Sequence, residues 1–415
     1  MTDSHTLPVG LDTSADVTDP TRGTNRSNEH PDRMGESVID DFVAVIPAGG
    51  VGSRLWPLSQ PHRPKFLLDL LGTGTTLIQD TVARLAPIAA QTIVVTGQRH
   101  ADAVAAQVPG VPAANVVAEP TPRDSMAAIA LAAAIIQHRH GDRIMGSFAA
   151  DHVIGDPDLF RAAVRTAVAA ARTGKVATIG IAPTEASSAF GYIAQGKALP
   201  DAPGAYAATE FTEKPDPEAA ATMLARGGYV WNAGMFVVST AVLLGHLERL
   251  QPGLYAGVTQ IAQAWDGAEQ DTAGVGHGDV DQRDVDQRDA HHTSRQETLD
   301  RVWPSLTKIA IDHAIAEPVA AAGGVAVVPG AFDWHDVGDF DSLASLLRPD
   351  ADGITRIGRT GPVATFGSGG VVAVGGTKPL AVVGLTDVVV VESDEAILVL
   401  SRAAAQQVKD AAARF

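Results

Sequence analysis

The sequence predicts an α/β protein: a mixed, mostly parallel sheet covered by helices on both faces, followed by a small β-rich C-terminal region. Up to about residue 190, short β-branched runs alternate with Ala-rich stretches of helical spacing. The order is then mixed, and from about Asp350 Gly-rich turns separate strand-like runs with no helices between them. With 45% hydrophobic and 19% charged residues, the 415-residue chain can bury a sizeable core and is neither collagenous nor low in complexity overall.

Residues 1–40, rich in Thr, Ser, Asp, Pro and Asn without a hydrophobic period, read as a disordered leader. A domain over 41–348 opens with the apolar run Phe42–Ile46, a buried strand that feeds a glycine-rich turn. Further strands are expected at Thr92–Thr96, Asn115–Glu119, Ile144–Phe148 and Val176–Ile181, with helices at Ser125–His138 and Asp158–Thr173. Strands at Gly191–Ala194, Ala207–Thr212 and Val230–Val238, with helices at Pro217–Arg226 and Thr240–Leu250, read as a mixed extension of the same sheet. The polar segment 264–296 carries the tandem repeat Asp279-Val-Asp-Gln-Arg283 and Asp284-Val-Asp-Gln-Arg288 and reads as a flexible insertion. Regular patterning resumes at Ser305–Ala316, Val325–Val328 and Asp339–Leu347. In the second domain, 349–415, strands are expected at Val371–Val374, Leu380–Val383, Val388–Val391 and Ile397–Leu400, then an amphipathic helix near Ala403–Ala413.

Composition removes several function classes. The 31 Lys+Arg against 48 Asp+Glu leave a formal charge of −17, which repels polyanions and argues against nucleic acid as a partner. The chain has no cysteine, which excludes disulfides, thiolate metal sites and cysteine nucleophiles. No apolar run reaches the ~18 residues of a membrane helix, and no signal-peptide pattern opens the chain. A cytoplasmic protein with no membrane partner is the expectation.

The strongest local signal is Ala48-Gly-Gly-Val-Gly-Ser-Arg-Leu-Trp-Pro-Leu58 followed by Arg63-Pro-Lys65. Gly49, Gly50 and Gly52 let main-chain N–H groups approach a phosphate, while Arg54 offers a planar fork and Lys65 a point charge. Leu55 stands where the last glycine of a dinucleotide fingerprint would be, and no Lys-Ser or Lys-Thr follows at P-loop spacing. Asp69 falls where a ribose-binding acid would, which reads as coincidence. Asp151, in Ala149-Ala-Asp-His152, follows a strand at the end where open α/β sheets bind ligands, and its hard carboxylate suits Mg²⁺; in isolation it is equally readable as a cap or turn residue. Asp336, in Phe332-Asp-Trp-His-Asp-Val-Gly338, is a second such acid or a turn residue. Glu213-Lys-Pro215 and Trp231-Asn-Ala-Gly-Met-Phe236 read either as Glu213, Lys214 and Asn232 facing one pocket, or as a solvated surface pair and core aromatics. Glu119-Pro-Thr-Pro-Arg-Asp124 runs into a helix whose free N–H groups suit an anion or a base edge.

Taken in order, these motifs resemble the sugar-1-phosphate nucleotidylyltransferases, most closely the mannose-1-phosphate guanylyltransferases. The set comprises Pro47 to Ser59, Pro64-Lys65, Glu119-Pro120, Ala150-Asp-His152, Phe190-Gly-Tyr-Ile193, Glu213-Lys-Pro215, Trp231-Asn-Ala-Gly-Met235 and Trp334-His-Asp-Val-Gly338. The resemblance implies a Rossmann-like, glycosyltransferase-A-like nucleotidyltransferase sheet and a left-handed β-helical tail. It implies in-line transfer of a guanylyl group from GTP to mannose 1-phosphate, releasing pyrophosphate. Ala48, Gly49, Gly50, Gly52, Glu119 and Arg123 would then hold the nucleotide, and Arg54 and Lys65 its reacting phosphates. Asp151 and Asp336 would ligate Mg²⁺, with Asp151 catalytic alongside Arg54 and Lys65. Gly191, Glu213 and Asn232 would bind sugar hydroxyls and Lys214 the sugar phosphate. A homodimer is the implied assembly, and with no isomerase-like domain before Phe415 the single-function members are the nearer match.

Several segments depart from the family. Pro64-Lys-Phe-Leu67 stands for Pro-Lys-Gln-Phe, Pro122-Arg-Asp-Ser-Met-Ala127 for Gly-Arg-Asn-Thr-Ala-Pro, and Asp339-Phe340 for a Ser-Trp ending. These leave base and sugar choice open to another nucleotide, to glucose or heptose 1-phosphate. A non-catalytic subunit that senses a nucleotide sugar would be expected to lose Arg54, Lys65 or an acidic ligand, and all are present. A dinucleotide-dependent oxidoreductase is opposed by the missing glycine.

Overall fold

A computed structural model describes residues 37–265 and 295–415. The leader and the insertion therefore lie outside the described residues except at their edges. β1 (Ile39–Ala48) is apolar on both faces, as a central parallel strand must be. It pairs in parallel with β2 (Ala89–Gly97) and β4 (Ile144–Ser147), and β2 with β3 (Val116–Glu119). A short β5 (Val153–Ile154) leaves the sheet. The other members are β6 (Val176–Ile181), β7 (Tyr192–Ala198), β8 (Tyr206–Thr212), β9 (Tyr229–Ser239) and β10 (Val325–Gly330), in the order β3-β2-β1-β4-β9-β6-β10-β8-β7. Only β8 and β9 oppose the other seven strands of that sheet, so it is mixed and mostly parallel.

Helices cover both faces. α1 (Leu77–Leu85) and α2 (Ala101–Gln107) precede α3 (Asp124–His140), which is apolar nearly all round and is sandwiched between the sheet and later helices. α4 (Pro157–Arg172) covers the opposite face; Pro157 opens it and the Asp156 carboxylate accepts from the N–H groups of Asp158 and Leu159 at 3.0 Å. α5 (Pro217–Arg226) and α6 (Thr240–Leu250) form over the expected ranges, and α7 (Pro252–Gln263) packs beside α3 and α6. No described helix is long and apolar enough to cross a membrane.

β11 (Trp334–His335) pairs antiparallel with β5 and carries the chain out of the sheet. The tail is a parallel β-helix: β12 (Thr355–Ile357) pairs with β14 (Val372–Gly375) and β14 with β16 (Val388–Glu392), successive partners lying 17 residues apart. β13 (Val363–Phe366) and β15 (Leu380–Val383) form a second face, and β17 (Ile397–Ser401) closes the stack antiparallel to β16. Leu55, Val337, Phe340, Val389 and Val408 share one apolar core, so the tail is packed directly against the glycine-rich turn. There Phe415 stacks on Trp56, with ring centroids 5.5 Å apart.

Three parts of the sequence reading change. Ser305–Ala316 is not one regular element: a 3₁₀ turn at Trp303–Ser305 is followed by extended chain and a π-helical turn at Asp312–Ala316 that runs into the helix Glu317–Ala321. Pro304 limits the first turn, and the extended piece gives its hydrogen bonds to the start of α3 instead of to itself. The helices α1, α2 and α7 and the strands β12 and β13 were not legible, being short or flanked by weak punctuation. The terminal helix divides into a 3₁₀ stretch, Arg402–Gln407, and a helix, Val408–Ala412.

Candidate active site

The glycine-rich turn follows the C-terminal end of β1, where Gly50 and Gly52 take φ values of 81° and 75°. Both need the left-handed region that glycine enters without a Cβ penalty. Gly52 is constrained twice, because a Cβ there would lie 3.0 Å from the Cβ and Cγ of Lys65. Gly49 and Gly50 face open space. The Gly52 carbonyl accepts from the Leu55 N–H at 2.8 Å and from the Ser59 hydroxyl, which ties the end of the turn down. The Ala48 carbonyl is held by the Thr96 hydroxyl at 2.8 Å.

Residues 148–150 continue β4 alongside β1, with the Ala150 N–H donating to Pro47 at 3.1 Å, and this delivers Asp151 beside the turn. Its carboxylate lies 3.0 Å from the Lys65 ammonium. The same ammonium donates to the main-chain carbonyls of Asp336 at 2.8 Å and Val337 at 3.2 Å. Lys65 thus joins the loop after β4 to the loop after β11, and with side chains only 13% and 20% exposed the pair Lys65–Asp151 is poorly screened. Val337, a buried β-branched residue at φ 48°, holds the second loop in a strained conformation. A Cβ on Gly338 would meet Nη1 of Arg54 at 3.3 Å and the Asp336 carboxylate at 3.6 Å, so Arg54 and Asp336 approach one another across that glycine. Arg54, Phe190, Trp231, Trp334 and Asp336 line one cavity of about 730 Å³. The donors here are hard oxygens; among the described residues no group of three or more His, Cys, Asp or Glu gathers as a metal cage. Two carboxylates with room for ligand phosphates fit Mg²⁺, which prefers few protein ligands.

His152 is packed edge-on to Trp334, and burial pushes its imidazole below the ordinary range. Asp69 accepts from the N–H groups of Thr73 and Gly74 at 3.0 and 2.9 Å and so closes its own loop. At the end of β3, burial pushes the Glu119 carboxyl up to about 7, and its Oε2 has no hydrogen-bond partner.

The start of α3 departs from expectation. The Met126 N–H donates to Ile309 at 3.1 Å, and Ser125 accepts from the Ile311 N–H at 2.9 Å, so the chain segment before the π turn caps this helix end. Arg123 donates to the carbonyls of Leu306, at 3.1 Å, and Pro304. The Arg123 guanidinium is thus held by the main chain of the 304–306 segment.

Gly191, Glu213 and Asn232 converge. A Cβ on Gly191 would stand 2.4 Å from Glu213 Oε2 and 3.3 Å from the Asn232 Cβ. Glu213 is buried and paired at 2.6 Å with the exposed Lys214, itself at φ 44°. Asp312, Glu317 and His313 complete this pocket and were missed. The Asn232 amide donates to Asp312 at 2.7 Å, the Glu213 N–H donates to Glu317 at 3.1 Å, and His313 bonds Glu317 at 2.9 Å. Burial, then the nearby Glu213 charge, pushes the Asp312 carboxyl up to about 6. The available signal was two acids and a histidine interrupting an apolar stretch, Ile309 to Ala320.

Glycine amides and basic side chains beside hard carboxylates, at the strand ends of a mostly parallel sheet, define a site for phosphate-bearing ligands. Residues 43–352 match the Nucleotidyl transferase family, and the chain belongs to it. Residues 360–414 match the MannoseP isomerase/GMP-like beta-helix domain. The Xanthan biosynthesis protein XanB of Xanthomonas campestris pv. campestris (strain B100) is 36% identical, covering 76% of this chain and 61% of that protein. The mannose-1-phosphate guanylyltransferase RfbM of Salmonella typhimurium is 35% identical, covering 74% and 59%. The chain thus spans about three fifths of the length of these curated relatives. A crystal structure of mannose-1-phosphate geranyltransferase from Thermus thermophilus matches with a TM-score of 0.73 at 28% identity, covering 90% of this chain and 99% of that one.

Proposed function

We propose that the chain transfers a guanylyl group from GTP to α-D-mannose 1-phosphate, giving GDP-mannose and pyrophosphate. The observation that carries this reading is Lys65, whose ammonium joins the Asp151 carboxylate to the Asp336 loop at the mouth of the glycine turn. The guanylyltransferase names of relatives 33–35% identical support the choice of substrates.

In this reading a phosphate oxygen of the sugar attacks the α-phosphorus of GTP in line, and pyrophosphate leaves. Ala48, Gly49, Gly50 and Gly52 hold the triphosphate through main-chain groups, Arg54 draws on the departing β- and γ-phosphates, and Lys65 offsets charge at the reacting phosphorus. Glu119 faces the nucleotide, with Arg123 holding the 303–306 turn behind it. Lys214 meets the sugar phosphate, and Gly191, Glu213 and Asn232 the hydroxyls. Members of the family generally use a divalent metal. Asp151 and Asp336 would hold Mg²⁺, which supplies neutralisation of the two polyanions when bound. The expected assembly is a homodimer, supported by exposed Phe366, Val383 and Ile397 on the β-helix, and the proposed location is the cytoplasm.

The test is pyrophosphate release by the purified chain with Mg²⁺, mannose or glucose 1-phosphate, and each of GTP, ATP, UTP and dTTP. Release confined to GTP with mannose 1-phosphate is expected. Release with a different pair would change the substrates, and none with any pair would overturn the reading.

A further inference from the structure

We propose that Asp312 is a positioning residue for the sugar phosphate: it orients the Asn232 amide so that this amide, beside Glu213, meets a hydroxyl of the incoming hexose 1-phosphate. The inference rests on the proposed reaction and adds to it a residue that does not itself touch substrate.

The Asn232 amide is held from both ends. Its Oδ1 accepts from the Gly234 N–H at 3.1 Å and from the Thr178 hydroxyl at 3.2 Å. A main-chain N–H can only donate, so the oxygen must face Gly234 and the NH₂ must face Asp312, which accepts at 2.7 Å. One amide hydrogen remains, in a direction set by the plane of the group. Glu213 Oε2, buried and without a hydrogen-bond partner, occupies the space that Gly191 leaves by lacking a Cβ, next to the Cβ of Asn232. A hydroxyl donates one hydrogen and accepts another, so it satisfies the orphan oxygen and the free amide hydrogen together.

Asp312 is placed for this role by its surroundings. Glu213 and Lys214 face it from the end of β8 and Asn232 from β9, while His313 and Glu317 lie on its own segment. A buried carboxylate near a second one is costly unless hydrogen-bonded, and the Asn232 amide supplies that bond. Asp312 opens a π-helical turn, a feature frequent at functional sites.

Steady-state kinetics of the full chain test the inference. Asp312→Ala is expected to raise KM for mannose 1-phosphate about tenfold, with KM for GTP within about twofold. Asp312→Asn, whose carboxamide oxygen still accepts from Asn232, is expected to recover most of that loss; should the alanine variant fail to fold, Asp312→Leu, close in volume and unable to accept that bond, takes its place with the same expected rise. In an Asn232→Ala background, Asp312→Ala should add less than about twofold, since it acts through that amide. Equal rises in both KM values, no rise, or full additivity with Asn232→Ala would overturn the inference while the wild type stays active. A wild type inactive with every sugar 1-phosphate would overturn the reaction and the inference together.

Discussion

The Lys65 centre and the Asn232 pocket share one sheet but are held by different means. Around Lys65 the geometry is that of the main chain: Gly50, Gly52 and Val337 at positive φ, and an ammonium bonded to two carbonyls as well as to Asp151. Around Asn232 it is a mesh of side chains, with Asp312, Glu213 and Glu317 buried or half-buried against one another. A main-chain frame survives the loss of one charge, so substitutions there should alter chemistry more than binding. A side-chain mesh reorients when one member is lost, so substitutions there should alter affinity.

The sharpest break of this contrast is Asp151→Asn. It should lower kcat by ~10²–10³-fold, as loss of one group stabilising transition-state charge does. KM for mannose 1-phosphate should stay within about threefold, both read from pyrophosphate release. An unchanged kcat would remove Asp151 from the chemistry.

Glu119 extends the contrast to a buried acid with no partner. Its carboxyl stands at about 7 against an ordinary 4.5, so the folded state keeps a proton that the unfolded chain loses first. Its contribution to stability is therefore full below about pH 4.5 and is lost as pH rises through about 7, on the order of 3 kcal/mol. Urea unfolding at about pH 5 and pH 8 should show that decline, and Glu119→Gln should flatten it; an equal slope in the variant would assign the decline elsewhere.

Gly191→Ala sharpens the other side. Its Cβ would press on Glu213 Oε2, the far end of a side chain that can swing away, so the melting temperature should move little. KM for mannose 1-phosphate should rise about tenfold with kcat within about threefold. A fall in kcat alone would make the two regions alike. The smallest effect is expected from Arg402→Ala, which breaks a partly exposed pair with Asp341 where the β-helix meets the sheet domain. Thermal unfolding should report a change within ~0.5 kcal/mol, because water screens such pairs; a larger one would make that junction electrostatic.

Much of the Lys65 centre was legible because its parts are punctuated. Gly49, Gly50 and Gly52 follow an apolar strand, and Asp151 follows another, so strand ends alone carry them to one edge. Asp312 was not legible: nothing in Ile311-Asp-His-Ala314 marks a π turn, and its partner Asn232 lies 80 residues away. Arg123 shows the same limit in reverse, since its place before a helix suited an anion until Pro304 and Leu306 presented carbonyls.

Local patterning was enough for the alternation of strands and helices, the glycine turn, the β-rich tail and the residue types of the site, because periodicity and φ preference act over a few neighbours. Three features required the folded chain: the union of Asp151 and Asp336 through Lys65, the packing of Val408 and Phe415 against the Leu55-Trp56 turn, and the orientation of Asn232 by Asp312. Each depends on contacts between segments far apart in sequence, and these are chosen by which buried polar groups can satisfy one another once the sheet has formed.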